Sequence, residues 1–139
     1  MRVLVDTSIW SLALRRRTGD LSLHEKDLAA ELRELIQENR VQMIGPIRQE
    51  LLSGLREEAQ YHRLKERLRA FPDEPLTVQD YELAARFGNQ CRAAGIAGSA
   101  AGFLICAVAA ARNWPIFTTG KDFQQYAKPL PISLHAPRP

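Results

Sequence analysis

The sequence predicts an α/β fold built on parallel strands. Three observations carry that reading. Short aliphatic runs alternate with helical patterns along the whole chain. Strands separated by helices pair parallel through right-handed crossovers. The first run, Arg2-Val3-Leu4-Val5, shows no apolar–polar alternation, as expected of a strand buried on both faces.

The elements follow in order. The first strand ends at Asp6, and Thr7 and Ser8 are placed to cap a helix running through Leu14. Arg15-Arg16-Arg17 and Gly19 close that helix, with cations and glycine where a helix end prefers them. Ser22-Leu23-His24-Glu25 reads as a capping box. It opens a helix whose Leu28, Leu32, Leu35 and Ile36 share one face. Val41 to Ile44 is a second strand, and Gly45-Pro46 starts a helix with proline at its first turn. That helix turns Ile47, Leu51, Leu52 and Leu55 inward, with Glu50 beside them. A polar helix over about 57–71 stops at Pro72 and Pro75. Thr77 to Asp80 repeats the capping pattern and leads a helix to about Ala94, closed by Gly95. The stretch from Ser99 to Arg112 is apolar all round, which predicts a central helix. Ile116 to Thr118 is a third strand, Asp122 is placed to cap a short helix, and Pro131 to Leu134 is a weak last strand.

Composition bounds the function. With 139 residues, the chain is expected to form one domain, 1–139, whose core needs no disulfide or structural metal. Its 45% hydrophobic and 25% charged content excludes disorder and collagen-like repetition. The longest apolar run, Ala100 to Ala111, is too short for a membrane span, and the N-terminus lacks the pattern of a secretory leader. Cys91 and Cys106 have no CxxC spacing and are expected as reduced core thiols of a cytoplasmic protein. A net charge of +3 permits a polyanionic partner without demanding one. His24, His62 and His135 form no ligand pair.

In open parallel sheets, sites lie outside the carboxyl ends of the strands. Asp6 and the turn from Thr118 to Asp122 are therefore the first places to look. Four segments around such positions resemble the PIN-domain family, in particular VapC-type toxins of toxin–antitoxin pairs. They are Val3-Leu4-Val5-Asp6-Thr7-Ser8-Ile9-Trp10, Glu50-Leu51-Leu52-Ser53-Gly54, Ser99 to Ala107, and Ile116 to Phe123. Each alone is a weak signal; all four in family order are a strong one.

The resemblance implies a three-layer α/β/α fold with a central parallel sheet. It also implies RNA cleavage dependent on Mg²⁺ or Mn²⁺, with Asp6, Glu50 and Asp122 as catalytic and metal-binding carboxylates. The physics agrees. Carboxylates converging from distant positions repel by roughly 4 kcal/mol per pair at 4 Å and an effective dielectric near 20, which a hard cation relieves. Thr7 and Thr118 are expected to hydrogen-bond the acids or a metal-bound water. The resemblance further implies a homodimer, a VapB-type antitoxin as partner, and no membrane association.

The sequence departs from the family pattern at two positions. Gly102 stands where the third segment normally has Asp, and Gly120 where the fourth often has its first acid. Three carboxylates do not balance two divalent ions, so at most one metal is expected, held weakly. Glycine at the third position of a helix costs about 1 kcal/mol relative to alanine. Nothing in the local sequence explains Gly102 by a turn or tight approach, so the expectation is an inactivating change with activity reduced or lost.

Local roles compete with these assignments. Asp6 and Asp122 fit simple N-caps, and Glu50 fits first-turn dipole complementarity. Arg63, Lys65, Arg67 and Arg69 are mixed with glutamates and read as a solvated face. Arg15 to Arg17 suit RNA phosphates or a partner as well as they suit a helix end. Trp10 and Trp114 read as core or interface anchors. Two function classes follow: a metal-dependent endoribonuclease toxin, or an inactive PIN-type binding module. A third, phosphoryl transfer on a similar sheet, lacks its second Asp, since Ser8 holds that place, and has no phosphate loop.

Overall fold

The computed structural model describes residues 1–139. Three parallel strands form the sheet: β1 (Val3–Val5), β2 (Val41–Gln42) and β3 (Ile116–Phe117), in the order β2-β1-β3. Val3 is in register with Val41, and Val5 with Phe117. Every residue of β1 is fully buried, so both faces of the sheet are covered. The sheet is parallel, as the residue pattern predicts, and the fold is the three-layer α/β/α one that the family resemblance implies.

Seven helices surround the sheet. Two lie on the crossover from β1 to β2: α1 (Thr7–Leu14) and α2 (Leu23–Gln37). Four lie between β2 and β3: α3 (Gly45–Leu52), α4 (Glu58–Leu68), α5 (Val78–Ala93) and α6 (Ala100–Arg112). The last, α7 (Lys121–Tyr126), follows β3. The α1 helix packs on both α2 and α3, and α5 lies along α6. Phe103 to Ala109 of α6 are all buried, which matches an all-round apolar sequence. No helix is long and apolar enough to cross a membrane.

Both predicted capping boxes form. Ser22 and Glu25 exchange side-chain and backbone hydrogen bonds at 2.9 and 3.1 Å, and Thr77 and Asp80 do so at 2.8 and 3.3 Å. Three local expectations need correction. Asp6, not Thr7 or Ser8, is the N-cap of α1. Its backbone N–H is already engaged with the Phe117 carbonyl at 2.9 Å, so the strand pairing ends on Asp6 and the helix must begin one residue later. Gly120, not Asp122, occupies the N-cap position of α7, and Asp122 sits in the first turn. The segment 131–134 reaches the sheet only as an isolated bridge from Leu134 to Ile116.

Two charged clusters clamp the periphery. Arg112 at the end of α6 donates to both oxygens of Asp80 at 2.9 Å and to Glu74 at 2.6 Å. The Asp80 side chain is only 4% exposed, so this pair is internal. Glu31 on α2, also buried, takes His135 at 2.6 Å and Arg138 at 2.7 Å, which ties the C-terminal tail to the helix. Arg48 anchors α3 to the loop before α5 through Asp73 at 2.9 Å, the Leu68 carbonyl at 3.0 Å and the Phe71 carbonyl.

Candidate functional site

The strand order reverses at the β1–β3 pair, since the chain leaves β1 toward β2 and returns on the opposite side. In such sheets the crevice at that switch, outside the carboxyl ends, is the place for a ligand. Asp6 ends β1 and Thr118 follows β3, so topology alone sets them side by side.

One oxygen of Asp6, Oδ2, is held tightly. It accepts from the hydroxyl of Ser8 at 2.8 Å, the hydroxyl of Thr118 at 2.8 Å, and more distantly the Ser8 amide at 3.4 Å. Both hydroxyls are themselves oriented by backbone donors. The Thr119 amide donates to Ser8 Oγ at 3.0 Å, and the Gly120 amide donates to Thr118 Oγ1 at 2.9 Å. The carboxylate is thus fixed by a two-layer network spanning β1, α1 and the turn after β3. All of these bonds end on Oδ2, and Oδ1 accepts no hydrogen bond from the chain.

Sequence reasoning does not single out Ser8 as a site residue. The signal is present but ambiguous: in Asp6-Thr7-Ser8 all three residues are good caps, and only the sheet bond to Asp6 decides which one is the cap. Thr7 differs from Thr118. Its Oγ1 is buried without any hydrogen-bond partner, whereas Thr118 touches Asp6 directly. A buried orphan hydroxyl costs about 1–3 kcal/mol, and the expected hydrogen bond from Thr7 to one of the acids is not made.

Glu50 and Asp122 are exposed and make no ion pair or side-chain hydrogen bond. Both are launched from the same rim, Glu50 by α3 after β2 and Asp122 by α7 after β3. Their side chains do not close with Asp6 into a group of three that could hold a metal ion. The donor set therefore does not fit a closed all-protein cage. It does fit a hydrated ion, because Mg²⁺ usually takes one or two carboxylates and completes its shell with water and substrate oxygens.

A side chain at Gly102 would meet tight contacts both within its own segment and from α7. A Cβ there would sit 3.2 Å from Tyr126 Cε2, 3.3 Å from the Tyr126 hydroxyl and 3.1 Å from Ser99 Oγ. Tyr126 is 1% exposed and packs edge-on to Phe123, its ring 5.0 Å from that of Phe103. Gly98 is under greater pressure, with a Cβ 2.5 Å from both the Phe103 ring and the Tyr126 hydroxyl. The aromatic side chain of α7 fills the space beside residue 102. The expectation that no tight approach explains this glycine is overturned. Ser99 still caps α6 by accepting from the Gly102 amide at 3.0 Å.

Electrostatics link these groups. Burial pushes the Cys106 thiol up to about 12, with the nearby Cys91 and the Asp6 carboxylate adding to the rise. Burial likewise raises the Tyr126 phenol, opposed by a hydrogen bond from the Ser99 amide and reinforced by the charge of Asp122. Both the Cys106 thiol and the Tyr126 phenol stay protonated at neutral pH.

The chain is similar to the crystal structure of FitAcB from Neisseria gonorrhoeae, with a TM-score of 0.76, 21% identity and 97% of each chain covered. It is also similar to VapBC2 from Rickettsia felis, solved bound to a DNA fragment from their promoter. There the TM-score is 0.74 at 18% identity, covering 97% of this chain and 98% of the other. No curated protein matches. The PIN domain family model matches residues 3–129, from the first residue of β1 past the end of α7. Because that match takes in every strand and every helix, this protein belongs to the PIN-domain family.

Proposed function

We propose that the chain is a metal-dependent endoribonuclease toxin of the VapC type, with Asp6 as its principal ligand and with activity reduced or lost. PIN domains are generally nucleases, and the observation that carries the reading here is the Asp6 network at the switch point of the sheet. Two hydroxyls and a strand bond fix the carboxylate, yet they leave one of its oxygens uncommitted. A group so oriented is prepared to bind something other than protein.

Asp6 would be the principal holder of the cation, with Glu50 and Asp122 as the further acids of the site. When bound, Mg²⁺ or Mn²⁺ lowers the pKa of a coordinated water and neutralises charge on the phosphodiester. The chain's own residues do the remaining work. Thr118 and Ser8 keep the Asp6 carboxylate in one orientation by donating to it. Asp122 and Glu50, unpaired with any cation of the chain, are free to approach the substrate-bound ion. At most one ion would be held, and weakly, because the third-segment acid is absent and Tyr126 occupies the space beside its place.

A second reading is favoured by that same filled space: a PIN-type binding module without catalysis. Titrating cleavage of a single-stranded RNA with Mg²⁺ and Mn²⁺ separates the two. The enzyme reading expects cation-dependent cleavage that falls to background in Asp6→Asn. Asparagine caps α1 as well as aspartate does, so the fold is kept. Absence of cation-dependent cleavage at any concentration would leave the binding module.

The fold shared with FitAcB and VapBC2 supports a VapB-type antitoxin as protein partner. The family resemblance adds a homodimer, for which exposed Val78 and Tyr81 on α5 offer apolar surface. Two buried, unpaired thiols suit the reducing conditions of the cytoplasm. We take residues 1–139 as one domain, around a single continuous apolar core.

A further inference from the structure

Four arginines without a partner in the chain gather away from the Asp6 rim. A cleft of about 510 Å³ opens between the C-terminal end of α1, the α3–α4 connection and one face of α4. Arg15, Arg56, Arg63 and Arg67 line it, with Gln60 beside them and Glu57 as the one acid. None of these four guanidinium groups makes an ion pair or a side-chain hydrogen bond within the chain. Elsewhere Arg16, Arg40, Arg48, Arg69, Arg112 and Arg138 are all paired with carboxylates.

The sequence builds this on one stripe. Gln60, Arg63 and Arg67 recur at helical spacing on α4, and Arg56 precedes them by one further turn. The mixed charge of α4 is therefore sorted: Arg69 pairs with Glu66 and His62 with Glu58, whereas Arg63 and Arg67 turn to the cleft. Arg15 meets them from the opposite wall as the C-cap of α1.

We propose that this cleft is a second subsite for the phosphates of a single RNA strand, whose cleaved bond lies at the Asp6 rim. The proposal rests on the nuclease reading of Asp6. Four like charges brought together without a counter-ion call for a polyanion, and guanidinium forks match phosphate oxygens two at a time. The α1 helix supplies the connection, since it starts immediately after Asp6 and ends at Arg15. At 1.5 Å per residue the two ends are about 13 Å apart, a span of a few nucleotides. The lining is mostly polar and has no aromatic anchor, which disfavours a protein segment as occupant.

The test is binding of a short fluorescein-labelled single-stranded RNA, followed by anisotropy in EDTA from about 50 to 200 mM salt, where cleavage does not interfere. All four arginines are exposed, so Arg63→Ala/Arg67→Ala keeps the fold. Each phosphate left without its arginine on a single strand lowers the log–log salt slope by about 0.7, so the double variant should show a slope smaller by about 1.4 and bind at least tenfold more weakly. Arg63→Lys/Arg67→Lys should retain the slope. Arg33→Ala/Arg86→Ala, which removes equal charge elsewhere, should leave binding close to wild type. An unchanged slope and affinity in Arg63→Ala/Arg67→Ala would overturn the proposal. So would a wild-type protein that ignores the RNA but binds a labelled polyglutamate peptide through the same arginines. Asp6→Asn separates this proposal from the reading beneath it. If wild type and Asp6→Asn bind RNA equally through the cleft and neither cleaves it with Mg²⁺, the subsite stands and the nuclease reading fails.

Discussion

Replacing Gly102 with alanine sets two effects of opposite sign against each other. Removing a helical glycine is worth about 1 kcal/mol in favour of the folded state. The new methyl, however, would lie 3.1–3.3 Å from Ser99 Oγ and Tyr126, closer than side-chain carbons normally approach. Tyr126 has little room to retreat, since Phe103, Phe123 and Gly98 surround it. Crowding a packed core typically costs about 1–3 kcal/mol, and any shift of Ser99 also weakens the cap of α6. The balance is a net destabilisation of about 1 kcal/mol. In a Tyr126→Leu background only the Ser99 hydroxyl, a small rotatable group, still crowds the methyl, and the same substitution should stabilise by about 1 kcal/mol relative to that background. Urea unfolding of the four proteins, combined as a double-mutant cycle, should give a coupling of about 2 kcal/mol. If Gly102→Ala stabilises the wild-type protein and the coupling is zero, Tyr126 does not dictate glycine at 102.

Other consequences are as direct. Arg112→Ala leaves the buried Asp80 carboxylate without its cation and should cost about 3–5 kcal/mol in chemical unfolding, far more than loss of an exposed pair such as Arg69–Glu66. Glu31 feels burial, which raises its pKa, but the hydrogen bonds from His135 and Arg138 outweigh it and leave the carboxyl below its ordinary value of 4.5. A lowered carboxylate pKa contributes stability above the unfolded-state value and loses it as pH falls through the folded one. Wild type should therefore lose stability steeply below about pH 4.5, and Glu31→Gln less steeply, so that the two unfolding curves converge in acid; parallel curves would contradict this. Thr118→Val removes one hydroxyl from Asp6 without changing side-chain size, and RNA cleavage should fall about 10–100-fold, the usual effect of losing a partner that orients a ligand.

The parts of this fold legible in the sequence are those written in neighbouring residues. Ser22 with Glu25, and Thr77 with Asp80, announce helix starts because the capping geometry is complete within four residues. The all-apolar α6 announces its own burial. The misread features each depend on a residue far away. Whether Asp6, Thr7 or Ser8 caps α1 is decided by the Phe117 carbonyl, on another strand. Gly102 looks like a costly helix residue until Tyr126 is seen against it. Nothing in the local sequence marks Glu31 as buried, since the partners that allow it, His135 and Arg138, lie at the other end of the chain. The arginine cleft is half visible. Arg15 and the arginines of α4 stand out as charge, but only the packing of α1 near α4 turns two ordinary basic stretches into one site.

Asp6, with one oxygen fixed and one uncommitted, is the group on which the proposed cation depends. Manganese binding followed by electron paramagnetic resonance tests it without reference to activity. Titration of the wild-type protein should show at most one weakly bound Mn²⁺, displaced by Mg²⁺ and lost in Asp6→Asn. Equal Mn²⁺ binding by wild type and Asp6→Asn, or none by wild type, would contradict that role.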